Sequence, residues 1–109
     1  MFTTKFRPAA TNATFKVIEF NGGQNNQSNP GGEADLDVQT TTGLTFPTPN
    51  IYFSTGGSPP FIPDDATPTD TNEPYDKWIE GVLSLDFIPP VVSTSYGDDE
   101  QTVPFDFAV

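Results

Sequence analysis

The sequence predicts an α/β fold, a piece of a parallel sheet in the order β–α–β–α–β with long loops. Three observations predict it. β-rich stretches at residues 14–20, 48–55 and 91–96 each run into Gly-containing turns. Two stretches of helical character lie between them, and strands alternating with helices favour a parallel sheet with right-handed crossovers. The chain is only 109 residues long, and Leu, Ile, Val and Phe make up about 24% of it, just above the level at which disorder is the default. With 9 Gly and 12 Pro, so short a chain buries little area per residue. Residues 1–109 therefore read as a partial domain.

Residues 1–13 are polar and irregular, with Pro8 as a breaker. Thr14-Phe15-Lys16-Val17-Ile18-Glu19-Phe20 is the first strand. Its apolar residues do not alternate cleanly, which suits burial on both faces. Residues 21–32 are rich in Gly, Asn and Gln and form a loop. A short helix follows over residues 33–42, with Glu33 complementing the helix dipole and Gly43 as the stop. The second strand is 48–55. Residues 56–72 form an acidic, Pro-rich loop without a helix or strand period. Glu73-Pro74 opens a second helix, Pro being tolerated in a first turn. Tyr75, Trp78, Ile79, Val82 and Leu83 fall at i, i+3, i+4, i+7 and i+8, an amphipathic stripe that reads as core packing. Val91–Tyr96 is the third strand, ended by Gly97, and an acidic then Phe-rich tail closes the chain.

Charge and composition exclude several classes. With 4 basic and 15 acidic side chains, the net charge is −11. Bare nucleic acid and anionic membrane surfaces both need Lys and Arg, so neither is an expected partner. The absence of Cys removes disulfides and thiolate zinc sites, and the absence of His removes the commonest base at neutral pH. Acid–base chemistry must rest on carboxylates, Lys or Tyr. No apolar run approaches a membrane span, and the Met-Phe-Thr-Thr-Lys-Phe-Arg-Pro start lacks the apolar region of a signal peptide.

Two acidic constellations stand out. Glu33 and Asp37 are four apart, so a helix puts them on one face with Cβ atoms roughly 5–6 Å apart, while Asp35 faces away. Shielded from water, such a pair can share a proton and serve as a general base or relay at acid pH; in water it is a solvated helix start. Asp98-Asp99-Glu100 follows the third strand and reads either as a cation site or as a solvated turn, the turn being favoured because the ligand spacing of a calcium loop is missing. Asp64-Asp65 has the same bland reading. Neither a Gly-x-Ser-x-Gly elbow nor a phosphate loop occurs. Asn12-Ala13-Thr14 and Asn26-Gln27-Ser28 match the N-glycosylation pattern, which matters if the chain is secreted.

Gly32-Glu33-Ala34-Asp35-Leu36-Asp37-Val38-Gln39 resembles the catalytic helix of the sedolisins, the serine-carboxyl peptidases, and fungal tripeptidyl peptidases in particular. Ser95-Tyr96-Gly97-Asp98-Asp99-Glu100 is similar to their Ser-Tyr-Gly-x-x-Glu strand end, and Pro49–Phe53 and Glu73–Trp78 fit the segments between. The resemblance covers roughly residues 6–104. It implies a subtilisin-like α/β fold, with Glu33 as the base that activates a nucleophilic serine, Asp37 as its support, and Ser95, Tyr96 and Gly97 holding the substrate backbone. It also implies secretion and a peptide or protein substrate. The family's Gly-Thr-Ser nucleophile run, its Ser-Gly-Asp oxyanion segment and its calcium site have no counterpart here, so the chain itself is expected to need no cofactor. A base without nucleophile or oxyanion hole cannot run acyl transfer, so the expectation is a peptidase fragment, inactive alone. The alternative is a non-catalytic acidic remnant that binds a peptide along Val91–Gly97 or a cation near Asp98–Glu100.

Overall fold

A computed structural model describes residues 2–108. It is α/β, with two short parallel strands and four helices among the described residues. The chain forms two compact units. One comprises the residues up to Glu19 together with Gln24–Ser54, the other Phe20–Gly23 and the residues from Thr55 on.

In the first unit the chain opens with α1 (Phe2–Phe6), followed by a 3-10 turn at Pro8–Ala10. This corrects the irregular reading of residues 1–13. A five-residue helix is marginal in water, and tertiary contact holds this one. It packs on α2, the Phe2 backbone N–H donates to Gln39 Oε1 at 2.8 Å, and the Phe2 and Phe6 rings stack 5.1 Å apart.

The strands are β1 (Lys16–Phe20) and β2 (Ile51–Thr55), each shorter than expected. Their parallel register begins with Lys16 N–H donating to the Asn50 carbonyl at 3.0 Å. Val17, Ile18 and all of β2 are half-buried, so the sheet is not covered to the depth the mixed apolar pattern suggested. Between the strands runs α2 (Gly32–Thr45), the crossover a parallel pair requires.

Gly43 does not end α2; the helix runs two residues past it. A Cβ at Gly43 would sit 2.6 Å from Phe2 Cε1, so the missing side chain admits the ring of α1. The stop is at Phe46, beside Pro47, with Phe46 N–H bonded to the Thr42 carbonyl at 3.1 Å. Apolar residues are spread around α2, and Leu36 and Leu44 are exposed.

The second unit is built on α3 (Tyr75–Leu83), which starts after Pro74 as the sequence predicts. Val82 is buried at 4% exposure and Trp78 is half-buried, whereas Tyr75, Ile79 and Leu83 are exposed. The stripe is thus only partly a core. Among the described residues, Ala10 and Val82 are the fully buried hydrophobic side chains, in keeping with the thin composition.

The expected third strand is not formed. Residues 91–96 carry no strand, and none of the Val91–Ser95 backbone groups is hydrogen-bonded among the described residues. β-rich sequence becomes a strand only when a neighbour completes the ladder, and among the described residues this sheet holds β1 and β2 alone. A 3-10 turn at Glu100–Thr102 and the short α4 (Phe105–Ala108) occupy the tail, where the sequence suggested no helix.

Candidate functional site

In the first unit, Glu33 and Asp37 stand on α2 at i and i+4, the spacing the sequence predicts. Glu33 is exposed and Asp37 half-buried, so the shielding that proton sharing requires is not met at Glu33 in this chain. Glu33 and Asp35 lie in the first turn, where they complement the dipole of a helix whose N-cap, Gly31, offers no side chain. Asp35 takes the other face. Its carboxylate accepts from Gln39 Nε2 at 2.7 Å, and it lines an open cavity of about 600 Å³ with Val38, Phe15, Tyr52 and the Asn/Gln-rich loop. Neither Glu33 nor Asp37 lines that cavity.

In the second unit, Ser95, Tyr96 and Gly97 are exposed and irregular, tied to the start of α3 rather than to a strand. The Tyr75 hydroxyl donates to the Tyr96 carbonyl at 3.1 Å, and the Tyr96 hydroxyl donates to the Thr71 carbonyl. The two rings lie 6.0 Å apart and tilted, a geometry favourable to aromatic pairs.

Beside this pair is a cavity of about 360 Å³, lined by Pro59, Pro60, Glu73, Trp78 and Asp98 among others. Asp98 Oδ1 is enclosed there without a hydrogen-bond partner. Partial burial pushes the Glu73 carboxyl up, and the Asp98 charge adds to it. Burial, then the adjacent Asp98 carboxylate, pushes the Tyr96 phenol up to about 12. Tyr75 is raised by burial and by both carboxylates. Both phenols therefore remain protonated donors at any ordinary pH.

Asp98, Asp99 and Glu100 do not converge on a cation. Asp99 Oδ2 accepts from the Thr67 hydroxyl at 3.1 Å, and among the described residues no group of three or more acidic side chains is placed to hold a metal ion. Asp64 closes a turn, its Oδ1 accepting from the backbone N–H groups of Ala66 and Thr67 at 2.9 and 2.5 Å. Asn12 and Asn26 are both exposed. No local pattern marks the roles of Tyr75, Asn72 and Thr102, whose partners lie 21 to 30 residues away.

Comparison with known proteins supplies the family. Tripeptidyl-peptidase sed4 of Aspergillus fumigatus is 50% identical over 78 aligned positions, covering 67% of this chain and 13% of that protein. Tripeptidyl-peptidase SED2 of Arthroderma otae is 39% identical over 111 positions, covering 95% of this chain and 19% of its own length. Tripeptidyl-peptidase SED3 of the same organism is 36% identical over 114 positions, or 98% and 19%. The chain belongs to the sedolisin family.

This sedolisin chain spans less than a fifth of the length of these relatives. No family model matches it, and no solved structure does. Among its described residues, no helix is long and apolar enough to cross a membrane.

Proposed function

We propose that this chain is part of a secreted serine-carboxyl peptidase of the tripeptidyl-peptidase kind, carrying the base but not the nucleophile. Glu33 is the general base and Asp37 its support. One observation carries the reading: α2 presents both carboxylates on one face, and the outer one, Glu33, is open to whatever completes the site. A carboxylate base must be ionised to accept a proton, and its neighbour's charge favours keeping a proton once the pair is enclosed. With a carboxylate rather than an imidazole as the base, the chemistry belongs on the acid side of neutrality.

Ser95, Tyr96 and Gly97 hold the substrate backbone. Their N–H groups carry no partner among the described residues and can pair with a peptide as one strand pairs with the next. The complete enzyme takes a peptide or protein substrate, and the chain alone is inactive for want of a serine nucleophile and oxyanion donors. The calcium expected of a complete family domain finds no fitting group among the described residues, and no step here runs through it.

The test is a chimera in which this chain replaces the matched segment of the Aspergillus fumigatus relative. Release of tripeptides by the chimera, with none by the chain alone, is the expected result. Turnover by the isolated chain contradicts it.

A second reading has its own support. The unpaired Val91–Ser95 backbone suits a peptide-binding remnant without catalysis. Such a remnant binds a peptide in isolation, and its chimera is dead.

A further inference from the structure

We infer that Asn26 is the N-glycosylation acceptor of this chain, with its carboxamide held ready by Ser28. Asn26 lies in the exposed loop between β1 and α2. Its Oδ1 accepts twice from Ser28, from the backbone N–H at 3.1 Å and from the hydroxyl at 2.8 Å. A backbone N–H can only donate, so the oxygen of the carboxamide is fixed toward Ser28 and Nδ2 points away. Nδ2 has no partner among the described residues. A further turn bond, Asn29 N–H to the Asn26 carbonyl at 3.1 Å, closes the loop.

This arrangement does chemical work. An amide nitrogen is a poor nucleophile because its lone pair is delocalised onto the oxygen. Two donors on Oδ1 stabilise the negative charge that collects there when Nδ2 gives up a proton, the same principle by which preorganised donors stabilise an oxyanion. The co-reactant is a polyprenyl-diphosphate-linked oligosaccharide, handled by a separate transferase. Nδ2 attacks the anomeric carbon and a C–N bond forms. The C–O bond to the diphosphate breaks, the diphosphate leaves with the electron pair, and the Nδ2 proton passes to a base of the transferase. All the contacts span two or three residues, so they are available to a nascent chain before it folds.

Asn12 lacks the device. It is exposed at a turn, but neither its side chain nor the Thr14 hydroxyl is hydrogen-bonded among the described residues. The two matching triplets, alike in sequence, thus differ in structure. The inference rests on the extracellular reading given above, because the transferase works in the secretory pathway.

The test secretes the full chain from yeast behind a cleavable leader and maps its peptides by mass spectrometry, before and after enzymatic glycan release. The expected result is a glycan at Asn26, with Asp left at that position on release. Asn26→Gln and Ser28→Ala lose it, Ser28→Thr keeps it, and Asn12→Gln leaves it in place. A secreted chain with Asn26 bare, or a glycan at Asn12 alone, overturns the inference. Because the leader supplies entry to the pathway, a bare Asn26 counts against the acceptor geometry alone. The extracellular reading is checked separately, by whether peptides of the natural protein occur in the culture medium of its source.

Discussion

Asn72 and Thr102, 30 residues apart, hold each other from both sides. Asn72 Nδ2 donates to the Thr102 carbonyl at 3.3 Å, and the Thr102 hydroxyl proton is shared between Asn72 Oδ1 at 3.1 Å and the Asp99 carbonyl at 2.7 Å. Ile62 N–H donates to the same Thr102 carbonyl at 2.9 Å. Thr102 is fully buried. In a unit with so few buried apolar side chains, this polar pair fixes the turn before α3 against the turn that follows Gly97.

Thr102→Val keeps the volume and removes the hydroxyl, leaving Asn72 Oδ1 buried without its donor. The expected cost is about 1–3 kcal/mol. Denaturant unfolding followed by the fluorescence of Trp78, the single Trp, measures it. An unchanged midpoint means that the pair is incidental.

Gly81 sits beneath the Phe20 ring. A Cβ there would lie 2.5 Å from Phe20 Cγ, and the ring root has little freedom to retreat. An exposed helical Gly→Ala ordinarily stabilises by up to about 1 kcal/mol. Overpacking at this contact reverses the sign, for a net loss of about 1–2 kcal/mol. Gly81→Ala combined with Phe20→Ala should recover the helix gain in thermal melts, and additivity of the two changes argues against the contact.

Two pH effects follow from the second unit. Glu73 has a folded-state pKa raised above its unfolded value. The folded state therefore binds more protons across that interval, and stability falls as pH rises from the ordinary carboxylate range through the raised value. The residue is exposed overall, so solvent screening keeps the effect small. Tyr96 behaves alike at the alkaline end, where stability is lost as pH climbs from 10 through about 12. An absorbance titration of the phenols should show a step at about 12 that vanishes in Tyr96→Phe. A wild-type titration without that late step contradicts it.

Tyr75→Phe tests the clasp on the proposed substrate-holding segment. The ring stays and the bond to the Tyr96 carbonyl goes. Backbone order parameters at Ser95–Asp98 should fall, as expected on losing one hydrogen bond worth about 1 kcal/mol, while those of α2 are unchanged. Equal order parameters in the wild type and Tyr75→Phe show that the segment is held by something else.

What was legible in the sequence is what local pattern decides. β1 and the start of α3 were readable from β-rich residues before Asn21-Gly22 and from Pro74 ahead of an i, i+3, i+4 stripe. The placement of Glu33 and Asp37 on one helical face followed from spacing alone. The misreadings share a cause, dependence on partners distant in sequence. Gly43 looks like a helix stop until the Phe2 ring is seen against it. Phe2–Phe6 looks irregular until Gln39 caps it. Val91–Tyr96 looks like a strand, but β propensity has no effect without a neighbouring ladder. The Asn72–Thr102 pair and the Tyr75–Tyr96 clasp leave no periodic trace.

Glu33 is the proposed general base of a serine-carboxyl peptidase. Glu33→Gln in the chimera with the Aspergillus fumigatus relative tests that role most directly, read as kcat at acid pH. The variant keeps the shape and removes the ionisable group. A loss of about 10²–10⁴ in kcat, with the fold retained, is the predicted result. Turnover equal to that of the parent chimera would contradict the assignment.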